Sequence, residues 1–160
     1  MALTTLAFSF KQKFSVPAQA LYAWATAYDA KDIERLGKQG HRKIERLNAD
    51  TVMLHDTVLD AKGNGVTKPK LVRLYPERFT WVNTHVGGPN QHSQFLYEIT
   101  PTGRSTCVFT FTARQVIHGS TATPAAVKRQ TAAVKKEDVL MWKHLARVMA
   151  QELRPARPRR

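Results

Sequence analysis

The chain has 160 residues, 42% of them apolar, which suits one compact domain able to bury roughly 70% of its unfolded surface. No apolar run approaches the roughly 18 residues of a membrane-spanning helix. Residues 1–10 lack both a basic start and a continuous apolar stretch, so the expectation is a soluble, non-exported, cytoplasmic protein. A single cysteine, Cys107, excludes an internal disulfide and a cysteine-based zinc site. Lysine and arginine number 25 against 12 acidic residues, a net charge of +13. The surplus is concentrated late: residues 121–160 hold ten basic and three acidic side chains, among them Arg154, Arg157, Arg159 and Arg160. Such a segment reads as a solvated helix face followed by a basic disordered tail, or as a weak contact for a polyanion such as nucleic acid or an anionic membrane.

Phe8, Phe10, Lys11, Lys13, Phe14 and Val16 alternate approximately between apolar and polar, which predicts a half-buried strand ended by Pro17. A short amphipathic helix follows over 18–28, with Leu21, Trp24 and Ala25 on one face. A second helical piece over 32–36 closes at Gly37, a residue that readily takes the left-handed conformation. From Arg42 the punctuation becomes that of an antiparallel sheet, with strand-like runs over 42–47, 51–59, 70–75 and 79–86. Asn48-Ala49-Asp50 and Lys62-Gly63-Asn64-Gly65 are hairpin candidates, and Tyr75-Pro76-Glu77 is a corner. Two further runs, 93–100 and 105–116, flank Pro101-Thr102-Gly103, with Phe95, Tyr97 and Ile99 alternating in one and Cys107, Phe109 and Phe111 in the other. Thr123 before Pro124 starts a long helix, in which Val127, Thr131, Val134, Leu140 or Met141, Leu145, and Val148 or Met149 recur at helical spacing. Lys128, Lys135, Lys136, Lys143 and Arg147 face mostly elsewhere, and Arg154-Pro155 ends the helix.

This order, a strand, two short helices, six antiparallel strands and one long C-terminal helix, resembles the START-like helix-grip superfamily. That group includes the birch-pollen allergen, the START lipid-transfer domains and the polyketide cyclase/dehydrase-like proteins. The cues are Phe14-Ser15-Val16-Pro17 leading into Leu21 and Trp24, then Leu74-Tyr75-Pro76-Glu77-Arg78-Phe79 as a mid-sheet corner. The strands around Pro101-Thr102-Gly103 and the closing helix complete a match over about residues 6–153. The resemblance implies an α+β helix-grip fold, in which a curved seven-stranded antiparallel sheet wraps the C-terminal helix. Residues 1–153 would form this one domain and 154–160 the basic tail. Allergen-type members carry a glycine-rich loop between early strands, whereas Asp60-Ala61-Lys62-Gly63-Asn64-Gly65 is a short turn here. It does not run from strand into helix as a phosphate-cradling loop would.

The resemblance further implies a mostly apolar cavity between sheet and helix, lined by aromatic and aliphatic side chains with a few orienting polar groups. Wall candidates are Trp24, Trp81, Phe95, Tyr97, Phe109, Phe111, Val134, Met141 and Leu145. Alternation turns only one parity of each strand inward, and the sequence leaves that parity open. The polar candidates are His55, Arg73, Asn83, His85, Tyr97 and Arg114, each within a strand-like run. Tyr97 shares a face with Phe95 and Ile99, so its hydroxyl needs a partner if that face is buried. Tyr97, His55 and Arg114 are the candidates for catalysis.

Other chemistry has little footing. The six histidines, at 41, 55, 85, 92, 118 and 144, show no ligand spacing, so no metal is expected, and no motif calls for another cofactor. Cys107 lies in an apolar strand and reads as a small buried hydrophobe. Asp29, Asp32 and Glu34 lie at a helix junction and read as helix-start caps. Without a catalytic set, the sequence favours a binding or carrier protein for a hydrophobic small molecule, such as a lipid, an isoprenoid or an aromatic polyketide-like compound. The alternatives are a cyclase/dehydratase-like enzyme, which needs an inward polar pair, and a polyanion- or partner-protein-binding module working through the basic helix.

Overall fold

A computed structural model describes residues 2–119 and 122–154; the expected tail lies, from 155 onward, outside the described residues. Strand β1 (Leu3–Phe14) is followed by two helices, α1 (Ala18–Thr26) and α2 (Asp32–Arg35). Then come β2 (Gly40–Asn48), β3 (Thr51–Leu59), β4 (Gly65–Tyr75), β5 (Thr80–His85), β6 (Gln94–Pro101), β7 (Cys107–His118) and α3 (Pro124–Glu152). The seven strands form one antiparallel sheet in the order β1-β7-β6-β5-β4-β3-β2. A meander runs from β2 to β7, and β1 forms the far edge by pairing with the last strand. This is the helix-grip fold.

The strands are longer than the sequence pattern suggests. β1 begins five residues before Phe8, because Thr4, Leu6 and Phe8 already alternate as buried positions. It ends at Phe14 rather than Val16, where β7 runs out of partners at Cys107. β4 starts at Gly65, since the Asp60–Gly65 turn leads straight into its ladder with β3. In that turn Asp60 accepts from the backbone N–H groups of Lys62 and Asn64, which fixes the hairpin. The corner after Tyr75 is a 3₁₀ turn over Pro76–Arg78, completed by Phe79 in a left-handed conformation, φ 49°.

Inward parity follows from the register. Arg42, Ile44 and Arg46 of β2 stand opposite Asp56, Leu54 and Val52, and Val72 and Leu74 of β4 stand opposite Asn83 and Trp81. Tyr97 lies across from Trp81 on one side and Phe111 on the other. Residues directly opposite share a face, so these side chains all line the concave side. α3 crosses that side. Its Thr123 hydroxyl accepts from the Ala126 N–H and Pro124 occupies the first turn. Trp142, Leu145 and Met149 are its buried positions, so Met149 packs inward while Leu140 stays exposed. The core is aromatic: Trp81 and Tyr97 stack at 4.7 Å with an interplanar angle of 3°. Phe109 lies 4.1 Å from Trp142, and Phe111 lies 5.1 Å from both Phe10 and Tyr97.

Candidate ligand-binding cavity

Between the concave face and α3 the packing leaves a cavity of about 210 Å³. One wall is apolar and aromatic, made by Trp24 of α1, Trp81 and Tyr97 of the sheet, and Met141, Trp142 and Leu145 of α3. The other wall is ionic, made by Asp32, Arg35, Lys38, Arg42 and Lys70. The division follows from the strands. At the β2–β4 end of the sheet, ionisable side chains take the inward positions next to Ile44, Leu54 and Val72, while the β5–β7 end supplies rings.

Arg42 is the hub of the ionic wall. Its Nε and Nη2 donate to the two carboxylate oxygens of Asp56, at 2.6 and 2.8 Å, a bidentate pair, and its Nη1 donates to Asp32. Lys70 Nζ donates to the same Asp56 at 2.7 Å. Burial favours the neutral acid at Asp56, but the hydrogen bonds and charges of Arg42 and Lys70 outweigh it and hold its carboxyl down at about 2. Burial likewise pulls Arg42 down, and Asp56 with Asp32 more than reverses it. The Lys70 ammonium is drawn below the usual lysine range, mainly by burial.

Gly40 admits β2 at this point. A Cβ there would overlap the Thr57 carbonyl oxygen, and its φ of 145° suits glycine alone. Tyr28, just past α1, adopts a positive φ of 34°, a sparsely populated conformation of the kind found where a side chain must be aimed. Its ring lies under the Arg42 guanidinium, 5.6 Å from the centroid.

A second cluster ties the helices together. Arg35 donates to Asp29, Asp32 and Glu152, at 2.6, 2.9 and 2.8 Å. Trp24 Nε1 donates to the other Glu152 oxygen at 2.7 Å. Asp29 and Asp32 do shape the turn before α2, accepting from the Lys31 and Asp29 backbone N–H groups. Their larger task is to hold Arg35 and, for Asp32, Arg42, so the capping role read from the sequence is incomplete. Glu34 is exposed.

Six of the residues singled out from the sequence line the cavity: Trp24, Trp81, Asn83, Tyr97, Met141 and Leu145. Asn83 Nδ2 donates to the Tyr97 hydroxyl oxygen at 3.3 Å, and burial raises the Tyr97 phenol well above its ordinary value. Phe109 and Phe111 are solid core behind these rings, and Val134 packs at its edge. Phe95 has the inward parity, opposite Asn83, and packs against Phe111 and His85 without lining the cavity. His85 is buried against Phe95 but does not reach the cavity. Burial, then the charges of Lys70 and Lys68, lower its imidazole to about 4, so it is neutral at pH 7. Arg73 and Arg114 are exposed, and His55 is half-exposed, 3.9 Å from Glu45. All three have the outward parity of their strands, so they do not converge with Tyr97.

The site residues missed by sequence reasoning are Tyr28, Asp32, Arg35, Lys38, Arg42, Asp56, Lys70 and Trp142. A signal was present for three of them: Arg42, Asp56 and Lys70 each sit two residues from a core aliphatic, the half-buried Ile44 and the buried Leu54 and Val72. A charge in the inward register of a strand is costly unless paired, and pairing requires partners at the same level on adjacent strands. Three buried polar atoms on the cavity residues lack a hydrogen-bond partner: Tyr28 Oη, Asn83 Oδ1 and Trp142 Nε1. Asp138 of α3, one turn before Met141 and Trp142, is half-buried and free of hydrogen bonds and ion pairs among the described residues. Burial and then Glu137 raise its carboxyl to about 6, against the pull of Lys38.

No family model matches the chain, and no curated protein sequence matches it significantly. Solved structures do. The chain is similar to the Zhui aromatase/cyclase from Streptomyces sp. R1128, with a TM-score of 0.74 and 13% identity over 94% of this chain and 97% of that one. It is also similar to Ara h 8.0201, with a TM-score of 0.69 and 13% identity over 92% and 99% of the two chains. Norcoclaurine synthase from Thalictrum flavum aligns with a TM-score of 0.65 and 12% identity over 96% and 91%. The chain therefore has the helix-grip fold of the START-like superfamily. No helix among the described residues is long and apolar enough to cross a membrane.

Proposed function

We propose that the protein is a binding or carrier protein for a small, mainly aromatic molecule bearing at least one polar group, held between the sheet and α3. The observation that carries this reading is the two-sided cavity, with rings on one wall and a fixed ion network on the other. The unpartnered Tyr28, Asn83 and Trp142 atoms beside it add hydrogen-bonding capacity for a ligand. The volume selects among hydrophobic ligands. A cavity of about 150 Å³ admits benzene, and sites for drug-sized ligands span roughly 300–1,000 Å³. At about 210 Å³ one or two fused rings fit better than a long acyl or isoprenoid chain. Trp24, Trp81 and Trp142 all line the site, so tryptophan fluorescence reports occupancy directly. Titration with 2-naphthol should give a saturable change that Leu145→Trp, which fills the cavity, removes. A non-saturable response, or one indifferent to Leu145→Trp in a folded variant, would refute the reading.

A second reading, a cyclase/dehydratase-like enzyme, is favoured by the convergence of Asn83 and Tyr97 and by Asp138. Asparagine does not titrate and Tyr97 stays protonated, so Asp138 is the group able to shift a proton near neutral pH. After burial and Tyr28, the Asp138 carboxylate adds to the rise of the Tyr97 phenol, which supports a role for the pair. On this reading Asp138→Asn abolishes turnover of a poly-β-carbonyl thioester while 2-naphthol still binds. Retained turnover in Asp138→Asn would exclude it.

A further inference from the structure

The outward face of α3 carries a charge pattern that the cavity does not use. In a helix of 3.6 residues per turn, Arg129, Lys136, Lys143 and Arg147 fall within a stripe about 40° wide, on the side away from Leu145 and Met149. The first three recur every seven residues, or about 10.5 Å along the axis, and the stripe runs about 27 Å. Lys128 and Lys135 flank it. All six side chains are exposed, and none takes part in an ion pair among the described residues. The three acids of α3 lie off the stripe: Asp138 is half-buried, Glu137 precedes it on the flank, and Glu152 is held by Trp24 and Arg35.

What lies between the charges is apolar. Leu140, 54% exposed, sits midway along the stripe at its edge, and Ala132, Ala133 and Ala150 are exposed beside it. The one aromatic residue of the helix, Trp142, is buried. A nucleic acid would be met by phosphate contacts and by exposed rings on which bases stack, and here the helix face has no exposed ring and a leucine borders the charges. Basic side chains around an exposed aliphatic on one helix face match instead an anionic lipid surface, whose headgroups attract the ammonium and guanidinium groups while the aliphatic enters the interface.

We propose that the outer face of α3 docks the protein on anionic membrane surfaces, with Lys136, Lys143 and Arg147 on the headgroups and Leu140 at the interface. This surface is separate from the cavity and does not depend on what the cavity binds.

The test is co-sedimentation of the full chain with phosphatidylcholine vesicles, with and without phosphatidylserine. Binding should require phosphatidylserine and weaken as salt rises. Lys136→Glu/Lys143→Glu/Arg147→Glu should lower it by roughly tenfold or more, with far-ultraviolet circular dichroism unchanged. If that variant fails to fold, Arg129→Glu/Lys136→Glu serves in its place. Leu140→Ser should weaken binding without changing the salt dependence. The proposal is overturned by equal binding to neutral vesicles, by binding indifferent to the charge reversals, or by displacement from vesicles by duplex DNA. Loss of binding on removal of residues 155–160 alone, with the stripe intact, would also overturn it and assign the contact to that segment.

Discussion

Asp56 shows how one side chain can organise a wall. It is only 3% exposed and serves two cations at once, the 8%-exposed Arg42 and the more open Lys70, so each charge is neutralised where water cannot reach it. Such a network is conditional on all its members, since removing one partner strands a buried charge. His85, at the same end of the sheet, takes the opposite course: with Lys70 directly opposite and Lys68 near, it stays neutral. The sign for pH follows. The unfolded histidine takes up a proton near 6.5 and the folded one only near 4. The folded state therefore has its full advantage above 6.5 and loses it as pH falls to 4. Asp56 acts in the same direction lower down, its contribution fading between its ordinary 3.8 and about 2. Urea unfolding of the wild type and of His85→Gln should show a stability difference that moves by about 2–3 kcal/mol between pH 7 and pH 4, with the wild type losing more. A difference that stays constant with pH would mean that His85 titrates normally in the folded protein.

At the level of elements, the C-terminal end of α3 is fastened by Glu152, which accepts from Trp24 of α1 and Arg35 of α2. Both donors line the cavity, so the fastening borders the site. The pair is partly exposed and is worth about 1 kcal/mol or less to global stability, yet it holds a helix end that would otherwise fray. Glu152→Gln should speed hydrogen exchange several-fold at the last-turn amides, Leu153 among them, whose N–H bonds the Met149 carbonyl. Exchange across the β1–β7 ladder should stay unchanged, and a uniform acceleration would show that the loss is global.

The elements themselves were legible in the sequence because their signals are local. Thr123-Pro124 caps α3, Asp60 to Gly65 turns a hairpin, and Phe95, Tyr97 and Ile99 alternate as a strand must. The facing of each strand was not legible, since parity depends on partners far along the chain. His55 and Asp56 are neighbours that look alike in polarity, yet the register with Arg42 and Lys68 turns Asp56 inward and His55 out. The aromatic half of the cavity was therefore found from composition and spacing, while its ionic half, assembled from α2, β2, β3 and β4, was passed over.

Across the whole molecule, charge is handled in two ways by one scaffold. Around the cavity, cations are matched by Asp29, Asp32, Asp56 and Glu152; on the outer face of α3 they are left unmatched and contribute to the net +13. The same helix is thus cavity wall on one side and basic stripe on the other. The sheet order adds a consequence in time. β1 is made first but pairs with β7, the last strand, so that Phe10 meets Phe111 across nearly two-thirds of the chain. At a synthesis rate of roughly 5–20 residues per second, β1 waits on the order of 5–20 s for its partner. Throughout that interval Leu6, Phe8 and Phe14 have no sheet to enter, while the β2–β6 meander can already assemble through neighbouring hairpins. Pairing of β1 onto the edge of the sheet is then a late, long-range event, and the nascent chain must carry an unpaired apolar strand on the ribosome until it happens.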